Sequence, residues 1–439
     1  MIREVQMHAR AAQRLAEVAL QAVADIEERV ATGHSADFAL KRFFHHHREL
    51  GGRDRRFISN MIFSYFRWKG WTRIAFDNHH PAACLCAWML DADAPHPAAD
   101  ALAMRLDSAL PDVHPAGHED TGSKLKSFMK WTSGRVEASL LDLAPAWLAD
   151  ELWIPEGVSP AEHSVRCIES FQSRPPTWLR LTTGSEDKVL DELAERGFEV
   201  QRHKILQNAL SVTSPLQVTS LHSARNGQLE VQDLASQCVG VLCAPKPGES
   251  WWDVCAGSGG KALHLADLMT NQGRILGTDI RPGILKQFAH RIRKTRYSCI
   301  TVRSAPAPAD VPTSTFDGVL LDAPCSGTGT WSRNPDARWR TALETIMQRA
   351  EKQRMLLNEA AATVKPGGRL VYSVCTITRR ETVDVLSDFE AHHPDFKALR
   401  TTHPLSGLES DGRVWIWPWE GPCDGMFVAV YVRTTPSQG

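Results

Sequence analysis

Two short runs in this 439-residue chain each place a cysteine at the end of a mostly apolar stretch. LLDAPCSGTG, residues 320–329, holds Cys325, and VYSVCTIT, residues 371–378, holds Cys375. Both runs read as buried strands, and a buried free cysteine is ordinarily a small apolar residue. Here Asp322 stands three positions before Cys325, and each thiol falls where its strand ends. Neighbouring parallel strands lie about 4.8 Å apart, so two thiols and a carboxylate could face one pocket. One chemistry needs that set. Carbon 5 of cytosine is a poor nucleophile, but a thiolate adding to carbon 6 makes an enamine, and carbon 5 then attacks an electrophilic methyl group. A carboxyl group near ring nitrogen 3 stabilises the charge that develops there. A base must afterwards remove the carbon-5 proton, and a second thiol can assist that elimination. Free cysteine has a pKa of about 8.5, so one thiol must be depressed or be deprotonated as it adds. Spacing does not say which thiol has which role.

A second constellation lies upstream. WWDVCAGSGGKALHL, residues 251–265, reads as strand, glycine-rich turn and helix. Gly257, Gly259 and Gly260 permit a tight turn and a close backbone approach, and the helix that follows opens with free amides. Cys255, Ala256, Gly257, Ser258, Gly259, Gly260 and Lys261 are therefore expected to cradle a ligand. RILGTDI ends a second strand in Asp279, and an acid at that place binds a ribose hydroxyl pair. The phosphate-loop signature is absent, because Ala262 follows Lys261, and the dinucleotide fingerprint is imperfect. S-adenosylmethionine has a ribose and no pyrophosphate, and it suits this loop better.

Alternating elements must position these residues. Strand-like runs are WWDVCA, RILGTDI, CITVRS, FDGVLLDAP, GRLVYSVCT and MFVAVYVR, with helix-like runs at 261–269, 282–294 and 341–364. That is a doubly wound α/β domain with a mostly parallel sheet, in which ligands bind at the C-terminal strand ends. Before it, TWLRL, SEDKVLDELAERG and FEVQRHKILQNALSV read as a small α+β unit, with Gly197 as a helix C-cap. Residues 1 to about 90 repeat apolar positions at helical spacing, with Ser35 as an N-cap, and more helix is expected to about Leu148. DADAPHPAAD, residues 91–100, reads as a loop. Domains are expected at 1–148, 149–240 and 241–439.

The segment from Lys41 to Arg73 mixes nine basic residues, two acidic ones and many aromatics. It fits either an amphipathic bundle with a solvated basic face or a module whose cations take RNA phosphates. The net charge of −1 gives no global nucleic-acid signature, so any basic surface is local. The ten cysteines include no Cys-x-x-Cys pair, and His45–His47 diverge around a helix, so no metal site is expected. Reduced thiols, no apolar run of 18 residues and no apolar leader fit a cytoplasmic protein off the membrane.

The motifs together resemble the RNA cytosine-5 methyltransferases of the Sun/Fmu (RsmB-like) type. DVCAGSGGK is similar to that family's cofactor loop, FDGVLLDAPCSGTG to its Pro-Cys motif, LVYSVCTI to its Thr-Cys motif and CDGMFVAVYVR to its closing strand. PPTWLRL and VQDLASQ resemble its pre-catalytic segment, and the first helical region resembles the NusB-like RNA-binding domain such enzymes carry. The resemblance implies an all-α NusB-like bundle, a small α+β linker domain and a Rossmann-like class I methyltransferase domain. It implies S-adenosylmethionine as cofactor and RNA as partner, ribosomal by analogy, with a monomer expected. It makes Cys375 the nucleophile and Cys325 the promoter of product release, with Asp322 and Lys261 in the catalytic set and Asp279, Ser304 and Asp322 around the cofactor. Three departures stand out: Val374 where threonine is usual, Ser304 (with Asp310 further on) where an acid contacts the adenine, and Trp251 and Trp252 where aliphatics are usual. Other readings are a transfer-RNA enzyme, methylation of a protein or small molecule, and an RNA-binding scaffold without activity.

Overall fold

The computed structural model describes residues 9–77, 80–106, 110, 113–134, 136–214, 217–305 and 313–435. The chain divides into two units, one made of residues up to Arg174 with Trp331–Ala342, the other of Pro175–Thr330 and the chain from Leu343 on.

The first unit is helical. Helix Ala9–Ala31 buries Leu15, Ala19, Ala22, Val23, Ile26 and Val30, the three- and four-residue spacing of one apolar face. Helix Ala36–His46 starts at Ser35, whose hydroxyl accepts the Phe38 N–H at 3.3 Å. Helices Gly52–Ala75, Pro81–Asp91, Pro97–Leu106, Thr121–Trp131 and Pro160–Ser170 follow. The stretch 91–100, expected as a loop, is helical from Pro97. Proline's missing N–H costs nothing in a first turn, and His96 Nδ1 accepts the Ala98 N–H at 3.2 Å.

In the basic, aromatic-rich segment, Phe43, Phe57, Tyr65, Phe66, Trp68 and Trp71 are buried and form core. Arg67 pairs with Asp91, and Lys69 with Glu27, both inside. Arg53 and Arg56 remain on the surface.

The unit runs past the expected boundary at 148 and takes back Trp331–Ala342. Arg338 is fully buried, donates to the carbonyls of Leu143 (2.6 Å) and Phe171 (3.3 Å), and lies over the rings of Phe171 and Trp331. Trp339 Nε1 donates to the Phe66 carbonyl at 2.6 Å, and Asp336 accepts the Ala36 N–H at 3.0 Å. A buried guanidinium needs acceptors, and Arg338 meets carbonyls from three separate stretches, the third being that of Arg67 at 3.4 Å.

The second unit holds two principal sheets. β1 (Thr177–Leu181), β2 (Val200–Arg202), β3 (Ala209–Val212) and β4 (Leu229–Val231) form an antiparallel sheet in the order β2-β3-β1-β4. Helix Glu186–Glu195 packs there through Val189 and Leu193, and Gly197 at φ 74° follows its end.

The larger sheet contains β5 (Ser250–Asp253), β6 (Arg274–Asp279), β7 (Ile300–Ser304), β8 (Phe316–Asp322), β9 (Val364–Val374) and β10 (Phe396–Ala398). A short ribbon, β11 (Thr401–Thr402) with β12 (Glu409–Ser410), precedes β13 (Arg413–Ile416) and β14 (Met426–Arg433). The order is β10-β14-β9-β8-β5-β6-β7, with β13 also on β14. β7, β6, β5, β8 and β9 are parallel, and β14 is antiparallel to β9. The chain winds outward from β5 to β7, then returns to β8 on β5's other side. The crevice between β5 and β8 is thus the topological switch point where a ligand is expected.

The indoles of Trp251 and Trp252 are fully buried in β5. Room for Trp251 comes from Gly318 on the neighbouring strand, where a Cβ would lie 2.3 Å from the ring. Arg369 lies over the Trp251 ring, 5.6 Å from the centroid, and Trp252 donates to Thr278 Oγ1 at 3.0 Å.

Candidate active site

β8 and β9 pair in parallel with Asp322 opposite Ser373. Cys325 lies three residues beyond the one and Cys375 two residues beyond the other, so the register alone brings both thiols to the same sheet edge. Their sulfurs are 3.4 Å apart, and both cysteines are free and half-buried. Asp322 accepts the Lys261 ammonium at 2.7 Å on one oxygen and the Ser373 hydroxyl at 2.9 Å on the other. Burial works against the charge on Lys261, yet Asp322, and to a smaller extent Cys375 and Asp253, hold its pKa above the ordinary lysine value. The lysine is therefore a fixed cation next to the thiol pair.

The Cys325 thiol is pushed well above the usual value, first by its hydrogen bond to Cys375, then by burial and by the charges of Cys375 and Glu381. These causes favour the protonated form of Cys325.

Beneath the pair is a carboxylate that sequence reading missed. Glu381 is fully buried. One of its oxygens accepts the Ser326 N–H (2.7 Å) and Gln353 Nε2 (3.0 Å); the other accepts the hydroxyls of Ser326, Thr376 (2.9 Å) and Thr378 (3.1 Å). Ser326 follows Cys325 and Thr376 follows Cys375, so one carboxylate holds both thiol-bearing loops. Gly329 N–H adds a bond to the Cys375 carbonyl at 3.1 Å. The available signal was a lone acid in TITRRET, six residues past Cys375, among threonines. Val374 is fully buried opposite Phe427, so hydroxyls around the thiols come from the residues after the cysteines.

Glu381→Gln keeps the shape but turns an amide donor toward donors. Unfolding free energy is expected to fall by about 1–3 kcal/mol in chemical denaturation, with a slower turnover and unchanged cofactor affinity. Full stability in the variant would mean the network does not hold the loops.

The cofactor loop lies at the end of β5. Gly257 and Gly259 adopt φ of 56° and 86°. A Cβ on Gly259 would lie 2.0 Å from the Phe288 ring, so only glycine fits. Ser258 is braced by Arg291, which donates to its carbonyl (2.9 Å) and hydroxyl (3.0 Å) and pairs with Glu230 on β4. Cys255 is half-buried, and Ala256 N–H donates to the Thr278 carbonyl at 2.8 Å. Gly260 and Lys261 open helix Gly260–Leu268.

Asp279 ends β6 and is only 4% exposed. It accepts the N–H groups of Gly257 (3.0 Å) and Arg281 (2.9 Å) and a two-pronged contact from the Arg281 guanidinium (2.9 and 2.8 Å). That hydrogen bonding from Arg281 lowers its pKa despite burial. Ser304 is exposed and stands opposite Asp279 in the β6–β7 register. Asp310 lies outside the described residues.

Residues 240–432 match the family model of the 16S rRNA methyltransferase RsmB/F. That stretch is an RsmB/F-type methyltransferase domain. A stretch of 294 residues is 32% identical to the probable ribosomal RNA small subunit methyltransferase B of Bacillus subtilis (strain 168), covering 65% of each chain. The match thus spans just under two thirds of that relative's length. Among solved structures, PH0851 superimposes with a TM-score of 0.72 at 24% identity, over 98% of this chain and all of that one. NSun6 from Pyrococcus horikoshii, solved with SFG, superimposes with a TM-score of 0.57 at 18% identity, over 64% of this chain and 97% of that one. Both likenesses show the fold.

The cofactor of RsmB/F proteins is S-adenosylmethionine, and the residues present fit it. Along the loop from Cys255 to Lys261, a Cβ on Gly257 or Gly260 would meet nothing nearer than 3.9 or 3.8 Å, so the backbone there is open to a ligand. Beside it Asp253 is fully buried with neither carboxyl oxygen hydrogen-bonded, and burial, then Asp322, pushes its pKa up to about 8. A buried acid left without a partner at a ligand loop is poised for a polar ligand group. Asp279 can hold the ribose hydroxyls if they share or displace Arg281. Asp279→Ala is expected to weaken S-adenosylmethionine binding about ten- to a hundredfold in calorimetric titration, the loss of hydrogen bonds to a charged group. An unchanged dissociation constant would remove Asp279 from the site.

Proposed function

We propose that this protein methylates carbon 5 of a cytosine in RNA, in ribosomal RNA of the small subunit, through a covalent bond between Cys375 and carbon 6. The observation that carries the reading is the thiol pair, 3.4 Å apart, beside the Asp322–Lys261 ion pair. The RsmB/F match over residues 240–432 and the name of the Bacillus subtilis relative support ribosomal RNA as substrate.

Cys375 adds to carbon 6 as a thiolate, its proton passing to solvent. The displaced electron pair moves into the ring, where the Asp322–Lys261 pair stabilises the charge at nitrogen 3. When bound, S-adenosylmethionine supplies the methyl group that carbon 5 takes. Once Cys375 is bonded to carbon, it no longer holds a charge or accepts a hydrogen bond, so the first cause of the raised Cys325 pKa is removed, while burial and Glu381 remain. Cys325 then gives its proton to solvent more readily, and the thiolate takes the proton on carbon 5. The carbon–sulfur bond breaks, and Cys375 leaves as a thiolate. The target base must leave its stack to reach the thiols, so unpaired or loosened RNA reacts fastest.

The helical unit is read as a NusB-like RNA-binding module, with Arg53 and Arg56 facing phosphates, in a cytoplasmic protein acting as a monomer. Among the described residues no helix is long and apolar enough to cross a membrane. Bisulfite mapping of total RNA from cells with and without the gene tests the assignment. A single small-subunit cytosine losing protection is the expected result. Loss at a transfer-RNA cytosine would move the substrate, and no change in any RNA would favour a scaffold.

A further inference from the structure

The chain is close to neutral, yet between Asp279 and Asp310 it carries seven Arg and Lys and no acid. Most of these residues lie on helix Pro282–Thr295, and its last turn opens onto a groove of about 520 Å³. Arg293, Lys294 and Arg296 line it with His290, and Arg225 joins from helix His222–Arg225. None of the described lining residues is an acid. Arg293 and Arg296 are exposed, and among the described residues Arg293, Lys294 and Arg296 form no ion pair. Arg225 is held in place by the carbonyls of Thr219 (3.1 Å) and Ser220 (3.0 Å).

Basic residues in a last turn complement the helix dipole, and that accounts for Arg293 and Lys294. It does not account for Arg225, which comes from another element. Nor does it account for Arg296, which lies past the helix in a left-handed conformation at φ 59°. An open groove leaves a small anion hydrated and gains little from it. A polyanion that meets several cations at once gains by releasing its counterions.

We propose that this groove is an RNA-backbone exosite on the catalytic unit, taking phosphates that flank the target rather than the target itself. The helix starts at the sheet edge that carries Asp279 and runs back for 14 residues, about 20 Å. Its end therefore faces away from the thiols. The proposal rests on the RNA-substrate reading and adds a second, separate contact to it.

The test uses the full chain and a small-subunit rRNA transcript, with affinity measured between about 50 and 200 mM salt. In the triple variant Arg293→Gln, Lys294→Gln, Arg296→Gln, the log–log salt slope is expected to become shallower by about 2–3. Affinity should fall about tenfold or more, and further in the corresponding Glu triple, while S-adenosylmethionine affinity, the check on folding, is retained. Parent and variant with the same slope and affinity would overturn the exosite and leave the RNA reading intact. A parent with no salt-dependent binding would overturn the RNA reading itself. Inorganic phosphate is expected to compete no better than chloride at equal ionic strength. Selective competition by phosphate would make the groove a small-anion site and overturn the proposal.

Discussion

Cys375→Ala is expected to reduce methyl transfer to RNA to background. Without a thiolate at that position carbon 6 gains no substituent, and carbon 5 stays too weak a nucleophile to take a methyl group. The loss should exceed about a thousandfold, or roughly 4 kcal/mol of barrier. Binding of cofactor and RNA should change little, because a thiol contributes little to either. Transfer of radiolabel from S-adenosylmethionine, with calorimetry for the cofactor, separates chemistry from binding. Methylation persisting within tenfold of the parent would remove Cys375 as nucleophile.

Cys325→Ala should fail at the opposite end of the reaction. Cys375 still adds and the methyl group still arrives, but removal of the carbon-5 proton is slowed. The protein should then accumulate bound to RNA. A denaturing gel is expected to show a shifted, nuclease-sensitive band for Cys325→Ala and none for Cys375→Ala or the double variant. The reverse pattern would exchange the roles of the two thiols. Intact methylation in both single variants, with no band in either, would return the cysteines to strand-end packing. The expected direction has a physical basis beside the family resemblance: Cys325 lies against Cys375 and near Glu381, and both disfavour its thiolate. The base needed at the end of the reaction is held in its protonated form at the start.

Much of this site is local in sequence, which is why it was legible. Asp279 ends its strand, Cys375 and Cys325 follow theirs by one and three residues, and a parallel sheet lines such ends along one edge. What was not legible depends on partners distant in the chain. Glu381 looks like one charge beside two arginines until folding sets Ser326 and Gln353 around it. The occupation of Asp279 by Arg281 is close in sequence, but it depends on a turn geometry that no motif encodes. The aromatic and basic residues of 41–73 carry no sign of which face is inward. The structure sends the aromatics to the core and pairs Arg67 and Lys69 inside. Trp251 looked like a departure from pattern because its compensation, Gly318, lies on another strand. The segment 331–342 has no periodicity to mark it as part of a helical unit. Its placement comes from buried carbonyls met by Arg338.

That segment limits how such a protein can be rearranged by evolution. Because Trp331–Ala342 belongs to the helical unit, the backbone passes from one unit to the other three times, after Arg174, Thr330 and Ala342. A gene fragment encoding the sheet alone would still encode these residues, with the partners of Trp331, Arg338 and Trp339 missing. An apolar and cationic flap would then hang in water one residue past Thr330, in the loop that begins at Cys325. The helical unit is therefore not a bead that recombination can add or drop with one crossover, and the two parts are constrained to be inherited together.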